Sequence, residues 1–308
     1  MTGPELPPLP PTLTAANREP GWAPWLDGLA TLGREMLADW DLTPTGPIAH
    51  GRCAVVVPVL TATGDPAVLK LAWPHEEARH EHLALRDWAG DGAVRLLRAD
   101  PSRWTLLLER AHARDLTTVA DVAACEIVGT LITRLARPAP PQLTRLSTRA
   151  TDWSHRLLAL PRSAPVPRRI VEHAAALARD LATDPATDGT LIHTDLHYEN
   201  VLASDREPWL AIDPKPLSGD PAYEVAPVLW NRWPEVVASG DVRGGVLRRW
   251  WAVVDSAGLD PDRARDWAVV RLAVNALWTL ERAAPGGLTP ADQEWLTTCV
   301  TIVKAVTD

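Results

Sequence analysis

Phenylalanine is absent from this chain of 308 residues, and tyrosine occurs only twice. Fifteen tryptophans stand in as the large aromatics of the core, so a lone Trp carries no weight as a binding signal here. Cysteine is equally scarce: Cys53, Cys125 and Cys299 are odd in number and widely separated, with no CxxC pair. A disulfide framework and a zinc knuckle are therefore excluded as organising principles, and a reducing, cytoplasmic setting is expected. No apolar run approaches the ~18 residues of a membrane span. The most hydrophobic helix-like stretch, from Trp267 to Leu280, is interrupted by Arg271 and Asn275. The opening MTGPELPPLPP has neither a basic nor an apolar export region. Positive charge is also in deficit, with 31 basic against 39 acidic residues and a net charge of -8, which argues against nucleic acid and favours cationic partners. Only three of those 31 bases are lysine: Lys70, Lys215 and Lys304. In a chain that uses Arg almost everywhere, a retained Lys suggests a need for a compact point charge.

What is present divides into two parts. Residues 1–23 are Pro-rich and lack hydrophobic periodicity, which predicts an extended or loosely packed lead-in. From 24 to 112 an amphipathic helix over Trp25–Trp40 gives way to β-type runs at Arg52–Leu60 and Ala67–Ala72 around the turn Thr63-Gly-Asp-Pro66. Pro74 is expected to open a helix through Trp88, with Glu76 and Glu77 in its first turn, before strands near Val94–Arg98 and Trp104–Leu108. Residues 113–308 are mainly helical in pattern. One β-type island interrupts them at 190–203, followed by Trp209–Asp213.

That island carries the chemistry. It reads His193-Thr-Asp195-Leu-His197-Tyr-Glu-Asn200, and Asp213 ends the next strand. An Asp, an Asn five residues on and a second Asp suit phosphoryl transfer: one carboxylate meets the acceptor hydroxyl, while an amide oxygen and a carboxylate hold Mg²⁺. A hairpin would keep Asn200 and Asp213 within reach of one ion. Lys70 lies mid-strand among apolar residues and needs an anionic partner, for which Glu77 and Glu81 are the candidates. His193, Asp195 and His197 also permit a distant reading as the metal set of a hydrolase. On the late helix, Asn275, Trp278 and Glu281 place polar groups in an apolar pattern.

The segments HTDLHYENVL (193–202), AIDPKPLSGDPAYEV (211–225), VLKLAWP (68–74) and LLLERA (106–111) together resemble the aminoglycoside phosphotransferases, in particular the streptomycin 6-kinase and hydroxyurea phosphotransferase branch. The resemblance spans nearly the whole chain from about residue 24. It implies an α+β, bilobal protein-kinase-like fold with a small β-rich N-lobe and a larger, mostly helical C-lobe. It further implies ATP (or GTP) as donor and Mg²⁺ as metal. Asp195 matches the catalytic aspartate, Asn200 and Asp213 the magnesium ligands, and Lys70 the lysine on the α- and β-phosphates. Glu81 matches the partner of Lys70, because Leu85 and Trp88 follow it at apolar spacing, with Glu77 second. The hinge implies adenine recognition by the backbone of Glu109 and Ala111. The chain departs from the family pattern twice: Thr45–Arg52 is poor in glycine where a Gly-rich turn should cover phosphates, and Ala113-Arg114 replaces the usual Gly before Asp-Leu. The expected acceptor is a small cation such as streptomycin, with hydroxyurea the alternative. Asp220, Glu224 and Glu281 are expected to form an acidic funnel for it if they face the cleft, while Asp220 in Gly-Asp-Pro also suits the N-cap of the next helix.

Overall fold

The computed structural model describes residues 5–15, 19, 21–283 and 287–307. The chain forms two compact units: the first holds residues 1–112 and 203–210, the second 113–202 and 211–308.

In the first unit, α1 (Trp22–Asp39) precedes a sheet of β1 (Thr43–Pro44), β2 (Ala49–His50), β3 (Ala54–Leu60), β4 (Pro66–Ala72), β5 (Leu96–Asp100) and β6 (Thr105–Glu109). The sheet is antiparallel in the order β1-β3-β4-β6-β5, with β2 also on β3. Alternation explains its core. Val55, Val57 and Val59 of β3 are inaccessible, as are Ala67, Leu69 and Leu71 of β4, and they meet Leu29, Met36 and Leu37 of α1. On β4 the face opposite Leu69 and Leu71 carries Lys70, itself buried.

Two expectations are corrected here. The described part of the lead-in is packed rather than loose: Leu13 is 1% exposed within a 3-10 turn (Pro11–Ala15), and Leu6 and Leu9 rest on the same core. A side chain at Gly33 of α1 would collide with Leu6, its Cβ falling 2.7 Å from a Leu6 methyl carbon. The helix expected from Pro74 begins later. Glu76–Ala78 make a 3-10 turn, His80 leaves helical geometry, and α2 spans Glu81–Trp88. Local rules favoured an N-terminus near Pro74, but the buried pairing of Glu81 with Lys70 fixes where the helix starts.

The second unit contains α3 (Asp121–Leu135), β7 (Arg137–Pro138), α4 (Leu146–Ala159), α5 (Arg168–Ala182), β8 (Thr190–Ile192), β9 (Val201–Ala203), β10 (Trp209–Ala211), β11 (Leu217–Gly219), α6 (Ala226–Leu229), α7 (Trp233–Ala238), α8 (Val242–Ala257), α9 (Pro261–Glu281) and α10 (Pro290–Thr307). β9 and β10 pair as a hairpin whose tip belongs to the first unit, and β11-β8-β7 form a second small sheet. α9 is the central helix, buried on nearly every side and packed by α4, α5 and α10. Its start is capped by Asp260, which accepts from the N–H groups of Asp262 and Arg263, with Pro261 at the first helical position. No helix among the described residues is long and apolar enough to cross a membrane.

Candidate active site

The island expected to be continuous β structure is strand only at its ends. Between β8 and β9, residues 193–200 form a loop closing in a 3-10 turn at Tyr198–Asn200. The loop's shape follows from two side chains beneath it. Thr194 sits in the left-handed region at φ +65°, a conformation costing a non-glycine residue roughly 1 kcal/mol or more. Glu224, 2% exposed, holds it there: its carboxylate accepts the N–H of His193 and that of Thr194, the latter at 2.9 and 3.0 Å. The Thr194 hydroxyl donates to the Lys215 carbonyl at 2.7 Å. His193 completes the scaffold. Its Nε2 lies 2.9 Å from the Ile212 carbonyl, and its Nδ1 accepts from the Asp195 N–H at 3.3 Å. Burial pushes this imidazole down to about 3, so it stays neutral at working pH.

With its flanks fixed, Asp195 is half-buried beside Asn200. The Asn200 amide donates to the Asp195 carbonyl at 2.9 Å and to its carboxylate at 3.3 Å. The Asn200 carbonyl accepts from Ile212 N–H at 2.9 Å, which puts the next residue, Asp213, at the same end of the hairpin. Asp213 is left-handed (φ +53°), and Lys215 Nζ reaches its carboxylate at 2.7 Å. Burial raises Asp195 above the usual carboxylate range, against the opposing charges of His197, Lys215 and Arg271. Burial works against a proton on His197, but the Glu199 carboxylate at 2.7 Å and the charge of Asp195 outweigh it and raise the imidazole. Asn200 Oδ1 and the Asp213 carboxylate are hard oxygen donors, of the kind Mg²⁺ takes. A hydrolase metal set at His193, Asp195 and His197 is contradicted, since both ring nitrogens of His193 are committed to backbone groups.

In the first unit Lys70 Nζ lies 2.7 Å from both carboxylate oxygens of Glu81, and both residues are buried. Glu81 is thus the partner, and Glu77 is exposed. At the hinge, the Glu109 N–H donates to the Arg95 carbonyl at 3.0 Å, and its carboxylate takes the Arg95 N–H and Arg206 of the hairpin tip. Ala111 is half-buried.

The acidic funnel is not what the structure builds. Asp220 caps the 3-10 turn Pro221–Val225 and is spent on Trp267 Nε1 at 2.8 Å and on Arg263. Glu224 is the loop's internal acceptor. Glu281 is paired with Arg156 at the end of α9. Burial obliges Asp220 and Glu224 to take partners, the cap at Asp220 being as its Gly-Asp-Pro setting suggests, while the more exposed Glu281 is held by an ion pair. Sequence reasoning missed Arg271, whose guanidinium stacks over Tyr223 and Trp278 at 5.2 and 5.1 Å and acts on Asp195. The interruption of an apolar helix by this Arg was its signal.

The family described as aminoglycoside/hydroxyurea antibiotic resistance kinase matches residues 39–283. The chain belongs to that family. It is 42% identical over 282 residues to a streptomycin 6-kinase of Streptomyces glaucescens, covering 89% of this chain and 90% of the relative. It is 41% identical over 279 residues to a hydroxyurea phosphotransferase of Kitasatospora aureofaciens, covering 87% and 76%. An amicoumacin kinase solved with AMP-PNP and Ca²⁺ aligns over 91% of this chain and 96% of its own at a TM-score of 0.62 and 12% identity, a likeness of fold. The antiparallel first unit and helical second unit are those of the protein-kinase-like α+β class.

Proposed function

We propose that this kinase transfers the γ-phosphoryl group of ATP to a hydroxyl of streptomycin. The observation that carries the reading is the Asp195–Asn200–Asp213 arrangement, in which one amide is tied to one carboxylate and a second carboxylate is presented from the adjoining strand end. The acceptor hydroxyl donates its proton to the Asp195 carboxylate as its oxygen bonds to the γ-phosphorus, and the bond to the β-phosphate oxygen breaks to release ADP. A carboxylate raised by burial is a better base than an exposed one. Asn200 Oδ1 and Asp213 would hold Mg²⁺, which supplies charge neutralisation at the phosphates when bound. Lys70, compact and locked by Glu81, would steady the α- and β-phosphates. With the Glu109 N–H already used, the hinge donor toward the base falls to Ala111. Positioning and electrostatics carry the rate in this scheme.

Support for streptomycin as acceptor is the identity to the Streptomyces glaucescens kinase across nine-tenths of both chains. The near-equal identity to a hydroxyurea phosphotransferase favours hydroxyurea as the second reading. ADP release measured with each acceptor, and mass analysis for an added phosphate, separates them. Transfer to neither refutes both.

A further inference from the structure

Arg243, Leu247, Trp251 and Asp255 recur at intervals of four along α8 and make one ridge of that helix. The ridge faces outward. Trp251 is 46% exposed and stands between two hollows of about 910 and 420 Å³, and it shares the walls of both with Leu247. Val122 of α3, 43% exposed, lines the larger hollow, so two large exposed apolar side chains meet on one patch. Charge divides across it. Glu126 and Asp255 edge the larger hollow, while Arg243, Arg265 and His173 edge the smaller. Arg265 is paired with Asp262, and Arg248 with Asp241. The exposed side chains of Glu126, Asp255 and Arg243 make no hydrogen bond or ion pair with any described residue.

We infer that this ridge is the contact between two copies of the chain related by a twofold axis. The order of residues along it, cation, apolar, apolar, anion, decides the occupant. An axis at the level of Arg249 runs α8 antiparallel to its copy. It sets Leu247 against Trp251 of the second copy and Arg243 against Asp255 of the second copy, because each pair is centred on that level. Arg243 and Asp255 lie about 18 Å apart along the helix, so each cation meets an anion and like charges stay separated. A twofold contact requires one patch to complement itself, and a ridge with opposite charges at its two ends does so. Ridges of this spacing cross at about −50° and seat in each other's grooves, and the larger hollow offers the room for the second copy's indole. Arg249 points the other way, to Asp121 and the Asn231 carbonyl, and the Asn231 side chain accepts the Tyr198 N–H. The catalytic loop therefore lies beneath the inner side of α8, and pairing leaves it open whichever acceptor the enzyme takes.

The test is sedimentation velocity of the full-length chain over a range of concentrations, with thermal melts to confirm folding. It compares the wild type with Trp251→Ser, Arg243→Asp, Asp255→Arg and the double exchange Arg243→Asp with Asp255→Arg. The wild type is expected to approach twice the chain mass of 33.6 kDa. Each single charge reversal should raise the dissociation constant at least about tenfold, since a twofold axis counts every contact twice. The double exchange should restore association, because cation and anion trade ends and still meet. Trp251→Ser should sediment as a monomer. A wild type that stays at 33.6 kDa at every concentration overturns the inference. A dimer indifferent to all the variants also overturns it, since its contact lies elsewhere. So does a double exchange that associates no better than the single reversals. Should Trp251→Ser fail to fold, the charge exchange at exposed positions decides alone.

Discussion

Replacing Glu224 by Ala separates an acidic funnel from a loop scaffold. In the structure its carboxylate accepts the N–H of His193 and, with both oxygens, that of Thr194. Truncation leaves two buried backbone donors unsatisfied at about 1–3 kcal/mol each. It also releases the left-handed Thr194, whose strain of roughly 1–3 kcal/mol then opposes the native loop no longer. Two donors at about 1–3 kcal/mol each, less a released strain of roughly 1–3 kcal/mol, leave a net expected loss of about 1–3 kcal/mol. For a unit of this size that lowers the melting temperature by roughly 2–12 °C. The assay pairs thermal melts with kcat and KM: kcat should collapse because Asp195 hangs on the same loop, while weak salt dependence of KM persists. A pH series adds a sign. Burial pushes Glu224 up to about 7 in the folded state against a normal 4.5. Its contribution is therefore fully present below pH 4.5 and lost as pH rises toward 7. Glu224→Gln, neutral at every pH, should remove that slope. A Glu224→Ala variant with native melting temperature, unchanged kcat and a salt-dependent rise in KM would refute the scaffold and restore the funnel.

Asp195→Ala should keep nucleotide binding but lower turnover by about 10²–10⁴, and retention of a tenth of wild-type activity would count against the general-base role. Lys70→Arg conserves charge, but a planar fork does not fit the 2.7 Å buried contact with Glu81. ATP-dependent transfer should fall at least tenfold, by about the 1.4 kcal/mol that a misfitted charge-assisted hydrogen bond is worth, and wild-type kinetics would contradict that fit. Arg249, 1% exposed, binds Asp121 at 2.7 Å beneath Tyr198. Arg249→Met is expected to cost about 1–3 kcal/mol, since Asp121 is one-third exposed and keeps the Tyr198 hydroxyl, measurable by urea unfolding, and a neutral result would dismiss that network. His193 is held at about 3 against a normal 6.5, so stability should rise with pH from 3 to 6.5 as the unfolded chain gives up its proton. His193→Gln should flatten that window, and an unchanged slope would show that another group carries it.

The sequence alone determined the elements whose signal is local. Alternation in 54–60 and 66–72, the helical period of α1 and α9, and the Asp-Pro cap at 220 depend on neighbours a few residues away. The spacing of Asp195, Asn200 and Asp213 was equally legible, because one loop and one hairpin bring them together within twenty residues. Tertiary structure decided what depends on partners distant in the chain. Glu81 rather than Glu77 faces Lys70 because β4 and α2 meet there, and that meeting sets where α2 begins. The lead-in joined the core because α1 offers Leu6 the space above Gly33. Glu224 and Glu281 look alike as carboxylates in sequence. Whether each holds a strained loop or pairs at a helix end is fixed by Thr194 and Arg156. A charge in low dielectric takes whatever partner the fold supplies, and periodicity does not reveal that partner.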